Sequence, residues 1–513
     1  MIAWKLQLVF QRTYQFNFCL PTMKELSAIV IGSGVGGLAT AIRLAKKGIQ
    51  VKVFEANAFP GGKVNSKQFG NYRFDMGPSV FTEPHLIDEL ISLSGSKEVT
   101  FQYHQLEESC RYFFADGQEL TVIVGEDNVA ETFSNALGEN KTVVGNFLRR
   151  QRKNYEAVYP VFIAVSLHRF KHWFNRHVPN ALLRLTKYGL LSSMHKVNSK
   201  TFSNPKTSQI FDRLATYNGS SPYKTPGMLN IISHLELNLG PAMPNGGMVA
   251  ISDTLYKLCL ELGVNFRFNE KVTSILQTNN QVTGVQTAFG SYSSEIVVSN
   301  MDVHFTYEKL LSNFAAPSLN LKQEKSSSAI VFYWGVKKQF QQLGVHNIFF
   351  TENYKEEFKA IFETKEVYFD PTIYVHISSK VEQSDAPLSC ENWFVMINSP
   401  INVGQNWDVE IQKVRTHILN KLSKVLGENI EALIEIEEIN EPRKIEFIYS
   451  GKQGSIYGNS SNSSFAAFYR HPNFSKKLKG LYFAGVTVHP GGGIPLALNS
   501  AKIVERCVSE DFR

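Results

Sequence analysis

One segment constrains this chain more than any other. Residues 27–31 (SAIVI) read as a short strand covered on both faces. Gly32-Ser33-Gly34-Val35-Gly36-Gly37 follows as a glycine-rich turn, 38–47 carries a helical apolar pattern closed by Gly48, and 51–55 reads as a second strand. A strand–turn–helix–strand unit of this length requires parallel strands joined by a crossover helix, hence an α/β arrangement. In G-x-G-x-x-G the glycines meet different steric demands: a tight turn, close approach of the backbone to a diphosphate, and close helix–strand packing. The diphosphate then sits at the positive end of the helix. Glu55 lies 18 residues after Gly37, near the spacing of about 20 for the acid that binds ribose hydroxyls.

Two further glycine clusters decide between dinucleotides. Pro60-Gly61-Gly62-Lys63 and FDMGPS at 74–79 form a second turn system beyond Glu55, which suits a cofactor that reaches further, as FAD does. Near the C-terminus a strand at 480–484 runs into Gly485 and then HPGGGIPLALNSAK at 489–502. Pro495 suits the first turn of a helix. A helix N-terminus aimed at the flavin's pyrimidine edge would stabilise the anionic reduced form. The nucleotide-binding pieces are therefore discontinuous: 24–90, 226–325 and 441–513, with a helical segment at 91–225 and a β-sheet segment at 326–440 between them. The fold class is α/β, a discontinuous Rossmann-type FAD-binding domain with an inserted α+β substrate domain. Further strands are predicted at 72–79, 281–288, 295–299, 329–336, 371–378 and 392–398.

The chain has 513 residues, enough for two or three domains or subdomains. Its 43% apolar and 19% charged content marks a folded protein. The 37 Phe and 20 Tyr fit either a large aromatic core or a pocket for a long apolar ligand. Five scattered cysteines form no cluster of soft metal ligands and fit a reducing compartment. Residues 1–22 are aromatic and basic, too interrupted to span a membrane, and without a secretory cleavage pattern; they are predicted to be a disordered or surface tail, with Met23 an alternative start.

The net charge of +7 is unevenly distributed. Residues 144–200 hold eleven Lys and Arg against Glu156 alone. Within them Ile163, Leu167, Phe170 and Phe174 share one face of a continuous helix, and Arg169, His172 and Arg176 another. This pattern predicts an interfacial helix facing an anionic membrane, the membrane-facing part of the substrate domain. The competing reading is a solvated helix packed on its own core. No nucleic-acid-binding motif accompanies the charge, so nucleic acid is not an expected partner.

Several separate blocks together resemble the carotenoid (phytoene) desaturase family of flavoproteins: IVIGSGVGGLATAIRLAKKG, FDMGPSVFTEPHLIDEL, ATYNGSSPYKTPGMLNIISHLE, PNGGM, VVSNMD, DPTIYVH, FYRHPNF and GLYFAGVTVHPGGGIPLALNSAKIV, spanning about residues 26–508. Within the family the chain looks most like the bacterial 1-hydroxycarotenoid 3,4-desaturases, through FTEPHLIDEL, TYNGSSPYKTPGMLN and YGNSSNSSFAAFYRHPNF. It departs from the pattern at GVTV, where a small residue is expected near Val486. The resemblance implies FAD contacts from Gly32, Ser33, Gly34, Gly37, Glu55, Gly62, Lys63, Pro78 and Ser79, adenine contact at Val272, Asn300 and Asp302 near the cofactor, and Gly485, Gly493, Ile494 and Pro495 at the isoalloxazine end.

It also implies a carotenoid substrate with a tertiary hydroxyl near one end, which loses a hydride to flavin N5 and then a proton from the neighbouring carbon. Such a step needs alignment and water exclusion more than a strong base, and no catalytic triad or carboxylate pair stands out. His234, Glu236, Tyr217 and Asn218 are candidates for hydroxyl recognition, or for ordinary hydrogen bonding within the fold. Carotenoids are insoluble in water, so a cytoplasmic enzyme peripheral to the membrane is expected, with oxygen or a quinone as electron acceptor. The alternatives are phytoene desaturase, another carotenoid oxidase or isomerase on the same scaffold, and a non-enzymatic flavin-bearing carotenoid carrier.

Overall fold

In the computed structural model, which describes residues 26–166, 168–174, 176–183 and 189–512, three distant parts of the chain build one parallel sheet. Its strand order is Leu481–Phe483, Ile296–Ser299, Ser27–Ile31, Gln50–Phe54 and Asn265–Arg267. Alternate residues serve two different cores. Ala28, Val30, Val53 and Val298 face a helical layer formed by Val35–Lys46, Val249–Glu261 and the C-terminal helix Ile494–Asp511. Ile29, Ile31, Phe54, Val297 and Phe483 face the other way, onto a three-stranded antiparallel sheet, Val272–Thr278, Gln281–Thr287 and Gly290–Ser293. A strand buried on both faces needs a continuous apolar run, which SAIVI and IVVS supply.

The second layer system is a seven-stranded mixed sheet, ordered Ile434–Asn440, Ser328–Val336, Glu391–Ser399, Ile373–Ile377, His346–Phe349, Glu108–Phe113 and Glu119–Ile123. Every residue of Ser328–Val336 is buried. Trp334, Trp393 and Val395 pack beneath the helix Trp407–Leu426, against Ile411, Val414 and Ile418. The opposite face presents Tyr112, Tyr333, Phe350, Tyr374 and Phe394 toward Tyr72, Phe74 and the helices Glu126–Leu137 and Lys141–Val158. Each large apolar side chain removed from water here contributes roughly 1.5–3 kcal/mol. Much of the high Phe and Tyr count therefore forms the wall between the sheet and the helical segment.

The segment 91–225 is not helical throughout. Glu108–Phe113 and Glu119–Ile123 form a hairpin that extends the large sheet, with Asn347↔Arg111 paired in parallel.

The continuous basic helix predicted across 163–176 is also corrected. The helix Lys141–Val158 gives way to a π-helical turn, Tyr159–Ile163, closed by the Ala164 amide on the Tyr159 carbonyl at 2.9 Å. Pro160 has no amide hydrogen to continue the α ladder. The carbonyls of Val165 and Ser166 then accept from the side chains of His489 (3.0 Å) and His172 (2.6 Å). Phe170–Phe174 is a separate 3-10 turn. Ile163 is buried, whereas Phe170 and Phe174 are both 77% exposed, so the predicted apolar face does not exist as one surface. Leu167, Arg184, Lys187 and the 1–22 tail lie outside the described residues. Among the described residues no helix is long and apolar enough to cross a membrane.

Candidate active site: a flavin cradle beside an aromatic wall

The glycine turn ends the first strand as the spacing predicts. Gly32 takes φ +93°, and its amide donates to the Phe54 carbonyl at 2.8 Å. The helix starts at Val35, with the Leu38 amide on the Gly34 carbonyl at 2.9 Å. A Cβ on Gly37 would fall 2.2 Å from the Gly32 carbonyl oxygen, so only glycine lets the helix pack this close to the turn. The second glycine cluster folds onto the first: Gly34 bridges Gly61, and the Gly61 amide donates to the Ser33 carbonyl at 2.8 Å.

Glu55 lies beneath this turn. Its Oε2 accepts from the amide and hydroxyl of Ser33, both at 2.8 Å, and its Oε1 from the amide and side chain of Asn57, both at 2.9 Å. A ribose hydroxyl at Glu55 would take the place of the Ser33 hydroxyl or the Asn57 amide group. The Glu270 amide donates to the Glu55 carbonyl at 3.0 Å, and the strand beginning at Val272 starts two residues later. Val272 is thus brought to the same end of the site as the acid.

Asn300 is the pin between the N- and C-terminal pieces. Its amide donates to the Ile31 carbonyl (2.8 Å) and its Nδ2 to the Ala484 carbonyl (3.0 Å). A Cβ on Gly36 would lie 2.9 Å from Asn300 Nδ2 and 3.0 Å from the Gly485 backbone. Gly485 (φ +109°) receives its own support from Ser500, whose hydroxyl accepts the Gly485 amide at 2.8 Å. The two glycine turns therefore face each other backbone to backbone at the N-terminus of the Val35 helix.

Beyond this cleft lie Lys63, Pro78, Ser79 and the HPGGGIP run. Lys63 Nζ donates to the Ile456 carbonyl at 2.7 Å; burial lowers its pKa to about 8, against the opposing pull of Asp302. Asp302 also caps the turn after it, with Oδ1 accepting the His304 amide at 2.8 Å. A Cβ on Gly77 would lie 2.0 Å from the Lys63 carbonyl oxygen, which ties FDMGPS to the lysine. Ser79 Oγ is 2.9 Å from Tyr374 Oη, itself 2.8 Å from His346 Nδ1, so the GPS turn is wired to the aromatic wall. Gly493 (φ +107°) precedes the helix that Ile494 and Pro495 open.

These cradles have the shape an FAD needs: a glycine turn at a helix N-terminus for the diphosphate, an acid at the ribose end, and Gly485 with a run of three glycines leading into a second helix N-terminus at the ring end. A model of the family described as flavin containing amine oxidoreductase matches residues 35–508.

This chain belongs to the flavin-containing amine oxidoreductase family.

Its cofactor is FAD and it is an oxidoreductase. It is 48% identical to 1-hydroxycarotenoid 3,4-desaturase of Flavobacterium sp. (strain P99-3), covering 93% of this chain and 97% of that protein. It is 32% identical to 4,4'-diapolycopene oxygenase of Methylomonas sp., over 94% and 98%. Among solved structures, cyclohexylamine oxidase from Brevibacterium oxydans superposes with a TM-score of 0.61 at 16% identity, over 95% of this chain and 99% of that one. The flavin-family fold thus spans nearly the whole chain.

The four hydroxyl-recognition candidates separate in the structure. Glu236 is committed: its Oε1 pairs with Arg213 and accepts from Ser109 (3.3 Å) and Tyr112 (3.4 Å), and its Oε2 accepts from the Tyr217 hydroxyl. It is an internal counter-ion for a buried guanidinium. Tyr217, half-buried, is oriented by that carboxylate and keeps its hydroxyl lone pairs. Asn218 is buried in the turn Leu214–Asn218. His234 is buried, its Nδ1 lies 3.1 Å from Asn238 Nδ2, and burial lowers its pKa, which favours the neutral ring.

Two residues at the ring end went unnoticed in the sequence. Tyr457 packs so closely on Gly492 that a Cβ there would lie 2.5 Å from its ring, and Arg470 is buried among backbone carbonyls. Both lie inside motif blocks, YGNSSNSSF and FYRHPNF, but only tertiary packing reveals what they face.

Proposed function

We propose that this protein removes two hydrogens from adjacent carbons of a carotenoid, in the C3–C4 desaturation of a 1-hydroxycarotenoid. The observation that carries the reading is near full-length similarity to a desaturase of that name, on a chain whose glycine turns build an FAD cradle beside an aromatic wall. Bound FAD supplies the hydride acceptor. The rest falls to the chain's own residues. Hydride loss beside a polyene leaves a delocalised cation, which makes the neighbouring C–H acidic; the protein's task is then to align that bond and exclude water. In a 1-hydroxycarotenoid the hydroxyl oxygen is only three bonds from C3, so its partner must stand close to the reacting carbons. Tyr217 suits this role: Glu236, held by Arg213, takes its hydrogen, and its oxygen can accept the substrate's O–H.

Substrate entry is proposed at a bilayer surface. Phe170, Trp173 and Phe174 are exposed on one short turn, and Phe465 and Phe468 are exposed nearby, held through the His168 ring on the Phe468 carbonyl (3.2 Å). Exposed aromatic side chains grouped with basic residues suit the headgroup region of an anionic leaflet. The protein would then be cytoplasmic and peripheral to the membrane, handing electrons to oxygen or a quinone.

Incubation of FAD-loaded protein with matched hydroxylated and non-hydroxylated carotenoids tests the substrate reading. A product two hydrogens lighter and shifted to the red, formed faster from the hydroxylated partner, is the expected result. Equal turnover of both, or oxygen gain instead of hydrogen loss, contradicts it.

A further inference from the structure

Among the described residues, Arg470 is held by main-chain carbonyls alone. Its Nη1 donates to Tyr457 (3.4 Å) and Val486 (3.3 Å), and its Nη2 to Asn459 (3.0 Å). The residue is 3% exposed, and no carboxylate pairs with it among the described residues. Other buried guanidinium groups do not share this state: Arg213 faces Glu236, and Arg43 faces Glu89 and Glu505. Burial alone lowers the Arg470 pKa, to about 10. An ion taken out of water without a counter-ion costs several kcal/mol. Such a group persists where something bound supplies the opposite charge.

Its position indicates what that charge is. A Cβ on Gly491 would lie 3.6 Å from Arg470 Nε and Cζ, so the guanidinium flanks the first of the three glycines that lead into the C-terminal helix. Tyr457, whose carbonyl holds Nη1, packs on the second. The third, Gly493, sets the helix N-terminus at Ile494. The guanidinium and the positive end of a helix therefore converge on one short run. The diphosphate turn at Gly34–Gly37 faces Gly485, one residue before the Val486 whose carbonyl holds Nη1.

We propose that Arg470 is the counter-charge for the negative charge that the flavin ring gains on its N1–C2=O edge when N5 accepts a hydride. It therefore sets the reduction potential of the cofactor. This rests on the FAD site and not on the identity of the carotenoid.

Sulfite isolates the effect. Its sulfur lone pair forms a bond to N5 of oxidised flavin and pushes the flavin electron pair onto N1–C2=O, placing the same charge without substrate. FAD-loaded wild type, Arg470→Met, Arg470→Gln and Arg470→Lys are titrated with sulfite, and their midpoint potentials are measured. Wild type is expected to bleach reversibly. The neutral variants are expected to bind sulfite at least tenfold more weakly, and their potential to fall by about 30 mV or more, the equivalent of tenfold for a two-electron couple. Arg470→Lys is expected to fall between. A wild-type flavin that takes up no sulfite, or a neutral variant that holds FAD with the native affinity and potential, overturns the proposal. If neither neutral variant retains FAD, Arg470→Lys decides: as pH rises and a buried ammonium loses its proton, its midpoint potential is expected to drop away from that of wild type, and a difference between the two that stays constant with pH overturns the proposal. No carotenoid enters the titration, so either outcome leaves the substrate reading untouched.

Discussion

Arg169 and Asp511 form a two-point ion pair, Nη1–Oδ1 at 2.9 Å and Nη2–Oδ2 at 2.6 Å, which straps the basic segment to the last turn of the C-terminal helix. Glu510 extends the strap, pairing with Arg169 (2.9 Å), Lys171 (2.8 Å) and His172 (3.2 Å). Part of the positive excess in 144–200 is thus neutralised from within. Cutting the strap should cost little stability, because Asp511 is 40% exposed; Asp511→Asn is expected to lower stability by about 1 kcal/mol. The same change removes one of the two carboxylates that face Arg169 and leaves only Glu510 against it, so binding to anionic vesicles should rise in a sedimentation assay. Unchanged vesicle binding at unchanged fold would show that the exposed aromatic turn, and not charge, governs docking.

Glycines in two settings should respond with opposite sign. Gly37→Ala places a methyl group 2.2 Å from the Gly32 carbonyl oxygen and must push the helix from the turn; the variant is expected to purify colourless. Gly145 lies inside the helix Lys141–Val158, where the nearest atoms to a Cβ would be the far end of the Arg149 side chain at 3.4 Å. Gly145→Ala is expected to stabilise by about 0.5–1 kcal/mol. Thermal unfolding and the flavin absorbance of the purified variants read both.

Tyr217→Phe removes one hydroxyl and leaves the ring. With a 1-hydroxycarotenoid, kcat/KM is expected to fall by roughly 10- to 100-fold, the loss of about 1–3 kcal/mol from one buried hydrogen-bond partner. With the non-hydroxylated analogue it should hardly change. A uniform loss on both substrates would assign Tyr217 to the fold. Glu236→Gln, in contrast, leaves Arg213 without its counter-ion and should destabilise the whole protein by about 3–5 kcal/mol.

Much of the cofactor half was legible in the sequence because its signals are local. SAIVI, the glycine turn and Glu55 fall in one short stretch, and each has a steric or electrostatic reason to be there. The C-terminal helix was legible from Pro495 behind three glycines. The hairpin 108–123 was not, because ESCRYF and ELTVI mix polar and apolar residues; ESCRYF is fixed as a strand by pairing with His346–Phe349, more than 200 residues away, and ELTVI by pairing with ESCRYF. The break after Val158 had a visible cause in Pro160, but the capture of the Val165 and Ser166 carbonyls by His489 and His172 is a tertiary event. Glu236 looked like a substrate ligand only while Arg213, Ser109 and Tyr112 were out of view.

Lys63 gives the FAD-free protein a pH signature. Burial lowers its pKa to about 8 from the ordinary 10.5, with Asp302 opposing. Between those values the unfolded chain binds more protons at this group than the folded one, so its contribution makes the fold more stable as pH rises from 8 to 10.5. Lys63→Met carries no such proton. The melting-temperature difference, wild type minus Lys63→Met, should become more positive across that window. A flat difference would place the ammonium in water, and one that falls with pH would mean that the attraction of Asp302 outweighs burial.

The most direct measurement is anaerobic mixing of FAD-loaded protein with one equivalent of a 1-hydroxycarotenoid, followed by absorbance. Loss of the oxidised-flavin band in step with a red shift of the polyene, one flavin per double bond formed, is the predicted result. A flavin that stays oxidised while the pigment binds unchanged would contradict the account and leave a carotenoid carrier in its place.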